Sequence, residues 1–317
     1  MAVDTSVQHL FEARQALGID FFGGWLPADL ELFEKYHFDM PPTPGFVTDY
    51  FGVKTAMEFV PWAKVYGGKT LGRPPIPDDS VRAETIEYFA LLDSLENTPG
   101  DCFTMIELGA SYAPWACIAG VLATRSGKRA SVRAVEASSY FHALIAENFA
   151  ANGLGDESES SKFEARAIHG AVGVEPGSMF FPIVENAAEN GGQAAATNVD
   201  KDYLGRSIPH EEVPVRTLDD IFEGCDVIDF MHCDIQGSEE QVLIHGADQI
   251  TQKVRHMFVG THSRKIEGLL IECYHDHGWK LVRDRPVTFS YQPQLTSVVG
   301  MTTRDGGQYW VNTKLTG

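Results

Sequence analysis

A short apolar run that ends abruptly in polar residues limits this chain to a small set of folds. The run begins at Ile228 and ends in the sequence His232-Cys233-Asp234-Ile235-Gln236-Gly237. Such runs are typical of central strands in a parallel sheet, which is buried on both faces. His232 and Asp234 are two residues apart and should therefore point to the same face. The pattern predicts a strand that delivers polar side chains to the carboxyl edge of a sheet, where open α/β sheets bind ligands.

Strands and helices alternate along most of the chain on both sides of this run. Further strands are predicted at 103–108, 132–136, 163–168, 213–216, 254–260, 279–282, 296–301 and 308–312. Helices are predicted at 80–96, 114–124, 139–151, 218–222 and 266–277. This alternation predicts an α/β fold with a Rossmann-like mixed sheet, helices on both faces and an antiparallel edge formed by the last strands.

Two segments depart from the alternation. Residues 1–78 contain short helical pieces at 10–17 and 26–36 with Gly and Pro punctuation, and we interpret them as an N-terminal accessory cap on a main domain at 79–317. The cap's aromatic residues either line a substrate pocket or pack the cap onto the main domain; they are Tyr50, Phe51, Phe59, Trp62 and Tyr66. Residues 183–212 are rich in Ala, Asn, Gly and Gln and predict a long mobile loop.

Composition excludes several classes of partner. A net charge of -19 argues against nucleic acid, whose phosphates would be repelled. The five cysteines form no CxxC pair, which favours reduced, buried thiols and a cytoplasmic address. The sequence has no run long and apolar enough to predict a membrane span and no basic-then-apolar signal at its beginning, and it carries no signal of an oligomeric state.

The turn after the first predicted main-domain strand suits a ligand without phosphate. A dinucleotide site requires three glycines near the pyrophosphate, but here only Gly109 follows the strand, and bulky Tyr112 and Pro114 come next. The turn is better suited to the amino-acid part of S-adenosylmethionine, whose ammonium Glu107 could bind directly or through water. The next strand ends in Glu136, which could accept hydrogen bonds from both ribose hydroxyls of either NAD or S-adenosylmethionine. The alternative is that both are solvated acids at strand ends.

Two later strand ends carry candidates for acid–base chemistry. His262 follows its strand as Asp234 follows the neighbouring one, and either could bind or deprotonate an acceptor hydroxyl. Histidine is the stronger candidate for the base because its ordinary pKa lies near neutral pH. His232, Asp234 and His262 could instead hold a divalent metal, which is not the favoured interpretation because only one carboxylate is well placed. His232 could also be a core histidine bonded to backbone.

Taken together, these motifs resemble the FkbM family of S-adenosylmethionine-dependent methyltransferases. The resemblance covers about 80–285 and rests on 107–115, 135–137, 232–239 and 260–268, and the segment 49–55 resembles the N-terminal extension of one branch. Where the family often reads Lys-Ile-Asp-Val-Glu-Gly, His232 replaces the lysine and Gln236 the acid. Ser111 and Ala113 stand where glycines are common.

The resemblance implies the class I methyltransferase fold and methylation of a hydroxyl on a small molecule or saccharide. It implies cofactor contacts from Glu107, Gly109, Ala110, Ser111, Tyr112, Glu136, Ala137 and Asp234. We expect His262 to be the general base, Asp234 to face the methyl group and His232 to be secondary, with the cap and the 183–212 loop closing over the acceptor. The alternatives are a metal-assisted methyltransferase, a nicotinamide-dependent oxidoreductase and a non-catalytic S-adenosylmethionine-binding protein.

Overall fold

The computed structural model describes residues 9, 12–13, 23–155, 162–189, 192–202, 205–295 and 297–316. The helix predicted at 10–17 lies largely outside these residues. The strands are β1 (Phe46–Thr48), β2 (Lys54–Ala56), β3 (Lys69–Thr70), β4 (Cys102–Leu108), β5 (Arg129–Glu136), β6 (Phe163–His169), β7 (Ala171–Val172), β8 (Ser178–Pro182), β9 (His210–Arg216), β10 (Ile228–Cys233), β11 (Val254–Thr261), β12 (Trp279–Arg285), β13 (Thr288–Phe289), β14 (Thr302–Arg304) and β15 (Gly306–Asn312).

Helices connect most of these strands. They are α1 (Asp29–Tyr36), α2 (Thr85–Glu96), α3 (Pro114–Arg125), α4 (Ser139–Ala151), α5 (Leu218–Phe222), α6 (Glu239–His245), α7 (Ala247–Lys253), α8 (Arg264–Asp276) and α9 (Thr313–Thr316). Short 3-10 helices lie at Pro61–Tyr66, Ala187–Glu189 and Val299–Met301. The helix predicted from residue 80 begins only at Thr85, because Glu84 and Glu87 form a capping box there.

A seven-stranded sheet in the order β12-β15-β11-β10-β4-β5-β6 forms the centre of the protein. The five strands from β11 to β6 in this order are parallel, whereas β15 runs antiparallel to both β11 and β12. The predicted Rossmann-like mixed sheet with an antiparallel edge is therefore confirmed. The strand predicted at 296–301 is wrong over 297–301, and residue 296 lies outside the described residues. Val298 is exposed there while Gly300 and Met301 are both buried, a pattern that fits the observed turn rather than an alternating strand.

Apolar residues cover both faces of this sheet. Met105 and Phe230 pack on one face, in a cluster with residues of α2, α3 and α4. Their chain neighbours Ile106 and Met231 pack on the other face, with residues of α5, α6, α7 and α8. This alternation buries every residue of β10 and explains why four of its six residues are apolar, with Asp229 and His232 as the exceptions. Burial of each large apolar side chain stabilises the fold by about 1.5–3 kcal/mol.

The N-terminal segment shares the core of the main domain. Trp25, Phe33, Tyr50 and Phe51 belong to the same hydrophobic cluster as residues of α2 and α3. The three-stranded sheet β2-β1-β3 lies in this segment, and Lys54 exchanges backbone hydrogen bonds with the side chain of Asn152 after α4. The segment is thus joined to the sheet domain by apolar packing and by polar contacts.

The region before β10 contains a second small sheet. Strands β7, β9 and β8 pair in that order, and Phe181 and Val213 pack against Ala137 beside the end of β5. The predicted loop at 183–212 contains a 3-10 turn, and Ala195 forms a bridge with Phe180. Its mobility stays a prediction. Among the described residues, no helix combines the length and apolar character needed to cross a membrane.

The order of the strands creates a crevice. From β4 the chain passes through α3 to β5 on one side, whereas β10 pairs with the opposite edge of β4. At such a reversal the loops at the carboxyl ends of the two central strands diverge and leave space between them. Glu107 in β4 and His232 in β10 lie side by side in register at this point.

Candidate active site

A cleft of about 430 Å³ opens at the carboxyl ends of β4, β5, β10 and β11. This volume lies within the range of small-molecule sites. Six carboxylates and three guanidinium groups line it: Glu84, Glu87, Glu107, Glu136, Asp234 and Asp305, with Arg82, Arg285 and Arg304. Burial raises the pKa of three of these acids, Glu87, Glu107 and Glu136, above the ordinary range, so the number of acids overstates the negative charge of the cleft.

The turn between β4 and α3 has an unusual backbone. Gly109 has φ +76°, and a Cβ at this position would lie 1.8 Å from the carbonyl oxygen of Asp234. Ser111 and Ala113 also have positive φ, at 50° and 59°, which is costly for residues with a side chain. These are the two positions where the family resemblance leads us to expect glycine, and the backbone has kept the conformation that glycine adopts readily. Strain of this kind is concentrated at functional sites.

Glu107 ties the end of β4 to the start of α3. Its carboxylate accepts hydrogen bonds from the backbone N–H groups of Trp115 at 3.2 Å and Ala116 at 2.7 Å. Burial raises the pKa of Glu107 to about 8, although these two hydrogen bonds oppose the shift. Glu107 lines the cleft, so an ammonium group could use its remaining lone pairs, but its first role is to cap the helix.

Glu136 occupies the equivalent place at the end of β5. Its two oxygens accept from the backbone N–H groups of Ser111 and Ser138, both at 2.6 Å. Burial raises the pKa of Glu136 to about 7, with the hydrogen bonds opposing it. The remaining predicted cofactor contacts line the cleft around these two acids; they are Gly109, Ala110, Ser111, Tyr112, Ala137 and Asp234. The structure thus brings the whole predicted set to one cleft.

Asp234 lines the same cleft, whereas His262 is buried beside it and is not one of the lining residues. The Nε2 atom of His262 lies 3.4 Å from Oδ1 of Asp234, and its Nδ1 atom lies 3.0 Å from Oε1 of Glu239. Burial alone would lower the pKa of His262, but the carboxylates of Glu239 and Asp234 outweigh it and raise the pKa to about 10. Both ring nitrogens of His262 are therefore protonated at neutral pH, and the ring carries a positive charge. The predicted role as a general base requires one proton to leave before the ring can accept another.

His232 has a different environment. Its ring is stacked between Trp115 and Phe258, with centroids 5.3 Å and 5.1 Å away, and its Nε2 lies 3.2 Å from Oε2 of Glu87. Burial lowers the pKa of His232 to about 4, so the ring is neutral. The partner is thus a carboxylate and not the backbone. Burial raises the pKa of Glu87 to about 8.

The possible metal ligands differ from the predicted set. Among the described residues, donor atoms of Asp234, Glu239 and His262 lie within 4.8 Å of one another. His232 is not part of that group, because its ring is held in the aromatic stack. The sequence motifs do not single out Glu87 or Asp305, and they include Glu239 only as the last residue of 232–239 without a role. Glu239 resembles an ordinary first-turn helix acid, and only its closeness to Asp234 in the same turn could have singled it out.

The aromatic residues of the N-terminal segment have divided roles. Tyr50, Phe51 and Phe59 are buried, and Tyr66 packs against the cluster around Phe59. Trp62 alone of the five lines the cleft, with its side chain about half exposed and its indole N–H donating to the carbonyl of Val81 at 2.7 Å. Four of these residues therefore serve packing, and one faces the possible ligand.

The sequence of this chain is similar to those of known methyltransferases. Residues 101–284, more than half of the chain, match the family described as the methyltransferase FkbM domain. A provisionally named methyltransferase of Jannaschia sp. (strain CCS1) is 30% identical over 248 residues, which cover 77% of this chain and 85% of that protein.

Solved structures show similarity at the level of the fold. The crystal structure of methyltransferase FkbM from Methylobacillus flagellatus KT has a TM-score of 0.38 and 15% identity, and the match covers 67% of this chain and 44% of that one. The N-terminal domain of human METTL16, in complex with SAH, has a TM-score of 0.37 and 13% identity over 72% of this chain and 69% of that one. From the match over 101–284 and the Jannaschia relative, the chain belongs to the FkbM methyltransferase family.

Proposed function

We propose that this protein transfers the methyl group of S-adenosylmethionine to a hydroxyl oxygen of a small molecule or saccharide. The observation that carries the proposal is the division of one cleft into two walls. Glu136 and the turn 109–113 line one part of the cleft, which we call the cofactor wall. Asp234 lines another part, with His262 buried 3.4 Å from it, and we call these two residues the acceptor wall. Methyl transfer requires such an arrangement, because a cofactor and an acceptor must be aligned on opposite sides of one carbon.

The first wall fits a nucleoside without a pyrophosphate. Glu136 stands at the strand end where a carboxylate can accept from two ribose hydroxyls. Tyr112 is buried in the turn and packs on Phe59 at 5.2 Å, which leaves no glycine-lined approach for phosphates. These features favour S-adenosylmethionine over a nicotinamide dinucleotide.

The second wall holds the groups that can manage the acceptor's proton. The cofactor supplies an electrophilic methyl group; when the acceptor oxygen bonds to it, the carbon–sulfur electron pair stays on sulfur and the hydroxyl proton is released. The Asp234 carboxylate is half-buried, accepts from the Gln236 amide at 3.0 Å and faces the cleft. Asp234 is the group that we assign to orient the acceptor and receive this proton, and His262, buried 3.4 Å from it, can accept the proton only after losing its own.

An aromatic side chain and two arginines of the cleft support the proposed class of acceptor. Trp62 offers an exposed aromatic face, and its hydrogen bond to Val81 holds the ring in place. Arg285 and Arg304 line the same cleft and can donate hydrogen bonds to acceptor oxygens. A sugar or an aromatic ring with hydroxyl groups matches this combination. The five cysteines are free thiols, which fits work in a reducing compartment.

Two measurements test the proposal. Thermal unfolding with S-adenosylhomocysteine or NAD should show stabilisation by the first and none by the second, since only a binder of the native state raises its stability. Incubation with methyl-labelled S-adenosylmethionine and a panel of sugars and phenols should then place label on an ether oxygen. Stabilisation by NAD alone would favour an oxidoreductase, and binding of S-adenosylhomocysteine with no label transferred to any acceptor would favour a binding protein.

A further inference from the structure

We propose that the acceptor carries an anionic group, a carboxylate or a phosphate, and that Arg285 and Arg304 bind this group. The two residues, which we call the arginine pair, both line the cleft and are the last residues of β12 and β14. That the bound molecule is a methyl acceptor rests on the proposed function. The binding of an anion by the arginine pair can be measured without any methyl transfer.

The two guanidinium groups share a single carboxylate. Nε of Arg304 donates to Oε1 of Glu84 at 2.9 Å, and Nη2 of Arg285 pairs with Oε2 of the same residue. The two positive groups are therefore held close together, although they come from different strands. Because one carboxylate offsets only one of the two charges, these three side chains together keep a net positive charge.

Both arginines have nitrogen atoms that remain available to a ligand. Arg285 is only 6% exposed, and its Nε and Nη1 atoms are buried with no hydrogen-bond partner among the described residues. A buried donor without a partner is costly, and more so in a charged group. The Arg304 side chain is 45% exposed, so an anion can approach it from solvent. Guanidinium donors suit the oxygens of carboxylates and phosphates.

The third arginine of the cleft has the opposite balance of charge. The Nε of Arg82 donates to Oδ2 of Asp79 at 3.3 Å, and its Nη2 donates to Oδ2 of Asp49. Two carboxylates thus hold one guanidinium at Arg82, whereas two guanidinium groups share one carboxylate at Glu84. The arginine pair, and not Arg82, has charge left for an anionic ligand.

The other acids near Arg285 are either mostly uncharged or paired elsewhere. Burial raises the pKa of Glu87 to about 8, so most of this carboxyl is uncharged at neutral pH. Burial also raises the pKa of Asp305, and His262 opposes that shift more strongly than Arg285 does. The Oδ1 atom of Asp305 lies 3.9 Å from Nε2 of His262, which is thus its main cationic partner.

The arginine pair lies on the side of the acceptor wall. Asp305 follows Arg304 directly in the chain and contacts His262, whose Nε2 is 3.4 Å from Oδ1 of Asp234. The cofactor wall is built instead from the ends of β4 and β5. An anion at the arginine pair therefore belongs to the acceptor, which makes sugar acids, hydroxy acids and phosphorylated polyols the matching classes.

Calorimetric titration of matched probes into the full chain, with and without S-adenosylhomocysteine, tests the anion site. The pairs are D-glucuronate with D-glucose, salicylate with salicyl alcohol, and glycerol phosphate with glycerol. We expect at least one acid to bind the wild-type chain about tenfold or more tightly than its neutral counterpart, since hydrogen bonds to charged groups are strong enough for this difference. Arg304→Gln should remove the preference, and Arg304→Lys should keep part of it.

Arg166→Gln is the matched control. Arg166 is also an exposed arginine beside a carboxylate, with Nη1 4.0 Å from Oε2 of Glu223, but it does not line the cleft. This variant should keep the full preference for the acid. A general loss of folding would weaken the binding of the acid and of its neutral counterpart alike, so the ratio of the two affinities isolates the anion site.

The outcomes separate the anion site from the proposed function. Equal binding of acid and neutral probes, no binding of any acid, or a preference that persists in Arg304→Gln would overturn the site. A preference seen only with glycerol phosphate would identify a phosphate site, and one seen only with the other acids a carboxylate site. Loss of S-adenosylhomocysteine affinity in folded Arg304→Gln would also contradict the proposal, since it would place the cofactor's own carboxylate there. Binding of S-adenosylhomocysteine by the wild-type chain reports on the methyltransferase proposal separately.

Discussion

The two walls of the cleft are built in different ways. On the cofactor wall, the carboxylates of Glu107 and Glu136 each accept hydrogen bonds from two backbone N–H groups of a neighbouring turn. On the acceptor wall, the His262 side chain contacts Asp234 at the end of β10 and Glu239 in α6, and of these three residues only Asp234 lines the cleft. The first wall is a property of local turns, whereas the second depends on how distant parts of the chain meet. Substitutions should therefore affect cofactor binding and turnover separately.

The largest effect is expected where the two walls touch. Gly109→Ala places a Cβ 1.8 Å from the Asp234 carbonyl oxygen at φ +76°, whereas Gly127→Ala at φ +83° meets nothing within 4 Å. We expect about 1–2 kcal/mol of lost unfolding free energy for Gly127→Ala, from the left-handed backbone alone, and at least about 3 kcal/mol for Gly109→Ala. Urea denaturation of both variants measures the difference. Equal losses of unfolding free energy in the two variants would mean that the backbones of Gly109 and Asp234 are not in close contact.

The next effect concerns the acceptor wall alone. His262→Gln should lower the rate of methyl transfer about a hundredfold or more, about 2.7 kcal/mol in the barrier, while S-adenosylhomocysteine affinity changes less than about twofold. The measurement pairs labelled methyl transfer with calorimetry on the same preparation. His275→Gln, at an exposed position on α8, is the control. A parallel loss of both quantities would make His262 a structural residue and remove the distinction between the walls.

A third effect concerns the cofactor wall. Glu136→Ala should weaken S-adenosylhomocysteine binding about tenfold or more, or about 1.4 kcal/mol, because it removes the acceptor for the ribose hydroxyls. Glu164→Ala, at an exposed position on the adjacent strand β6, should leave the affinity unchanged. Calorimetry gives both constants, and unchanged affinity in Glu136→Ala would take this residue out of the site.

The smallest effect is a pH dependence of cofactor affinity. Burial raises the pKa of Glu136 to about 7, so the carboxylate is largely protonated at pH 6 and largely ionised at pH 8. Only the ionised form accepts from two hydroxyls, so S-adenosylhomocysteine affinity should rise with pH, by about tenfold from pH 6 to pH 8. The rise should shrink in Glu136→Gln. Identical pH profiles for wild type and Glu136→Gln would show that another group controls binding.

The fold, and the presence of Glu107 and Glu136 at one cleft, could be predicted because both are encoded locally; their contacts with a cofactor stay a prediction. The apolar run of β10, the acids that close β4 and β5, and the residues that follow β11 are each visible in a few consecutive residues. Even the positive φ at Ser111 and Ala113 lies at positions that the family resemblance marks as glycine sites.

Only part of the acceptor wall could be predicted, because its contacts join residues that are far apart in the sequence. Glu87 reaches His232 from helix α2, and Asp305 reaches His262 from a turn far along the chain. Neither contact follows from local spacing, since each depends on the packing of α2 and of the last strands on the sheet. The protonated state of His262 is likewise a product of carboxylates that only the folded chain brings together.

A crystal structure of the protein soaked with S-adenosylhomocysteine examines the division of the cleft most directly. The account predicts ribose hydroxyls within hydrogen-bonding distance of Glu136 and a sulfur atom directed toward Asp234 and His262. A nucleoside bound on the side of Asp234 and His262, or outside the cleft altogether, would contradict it.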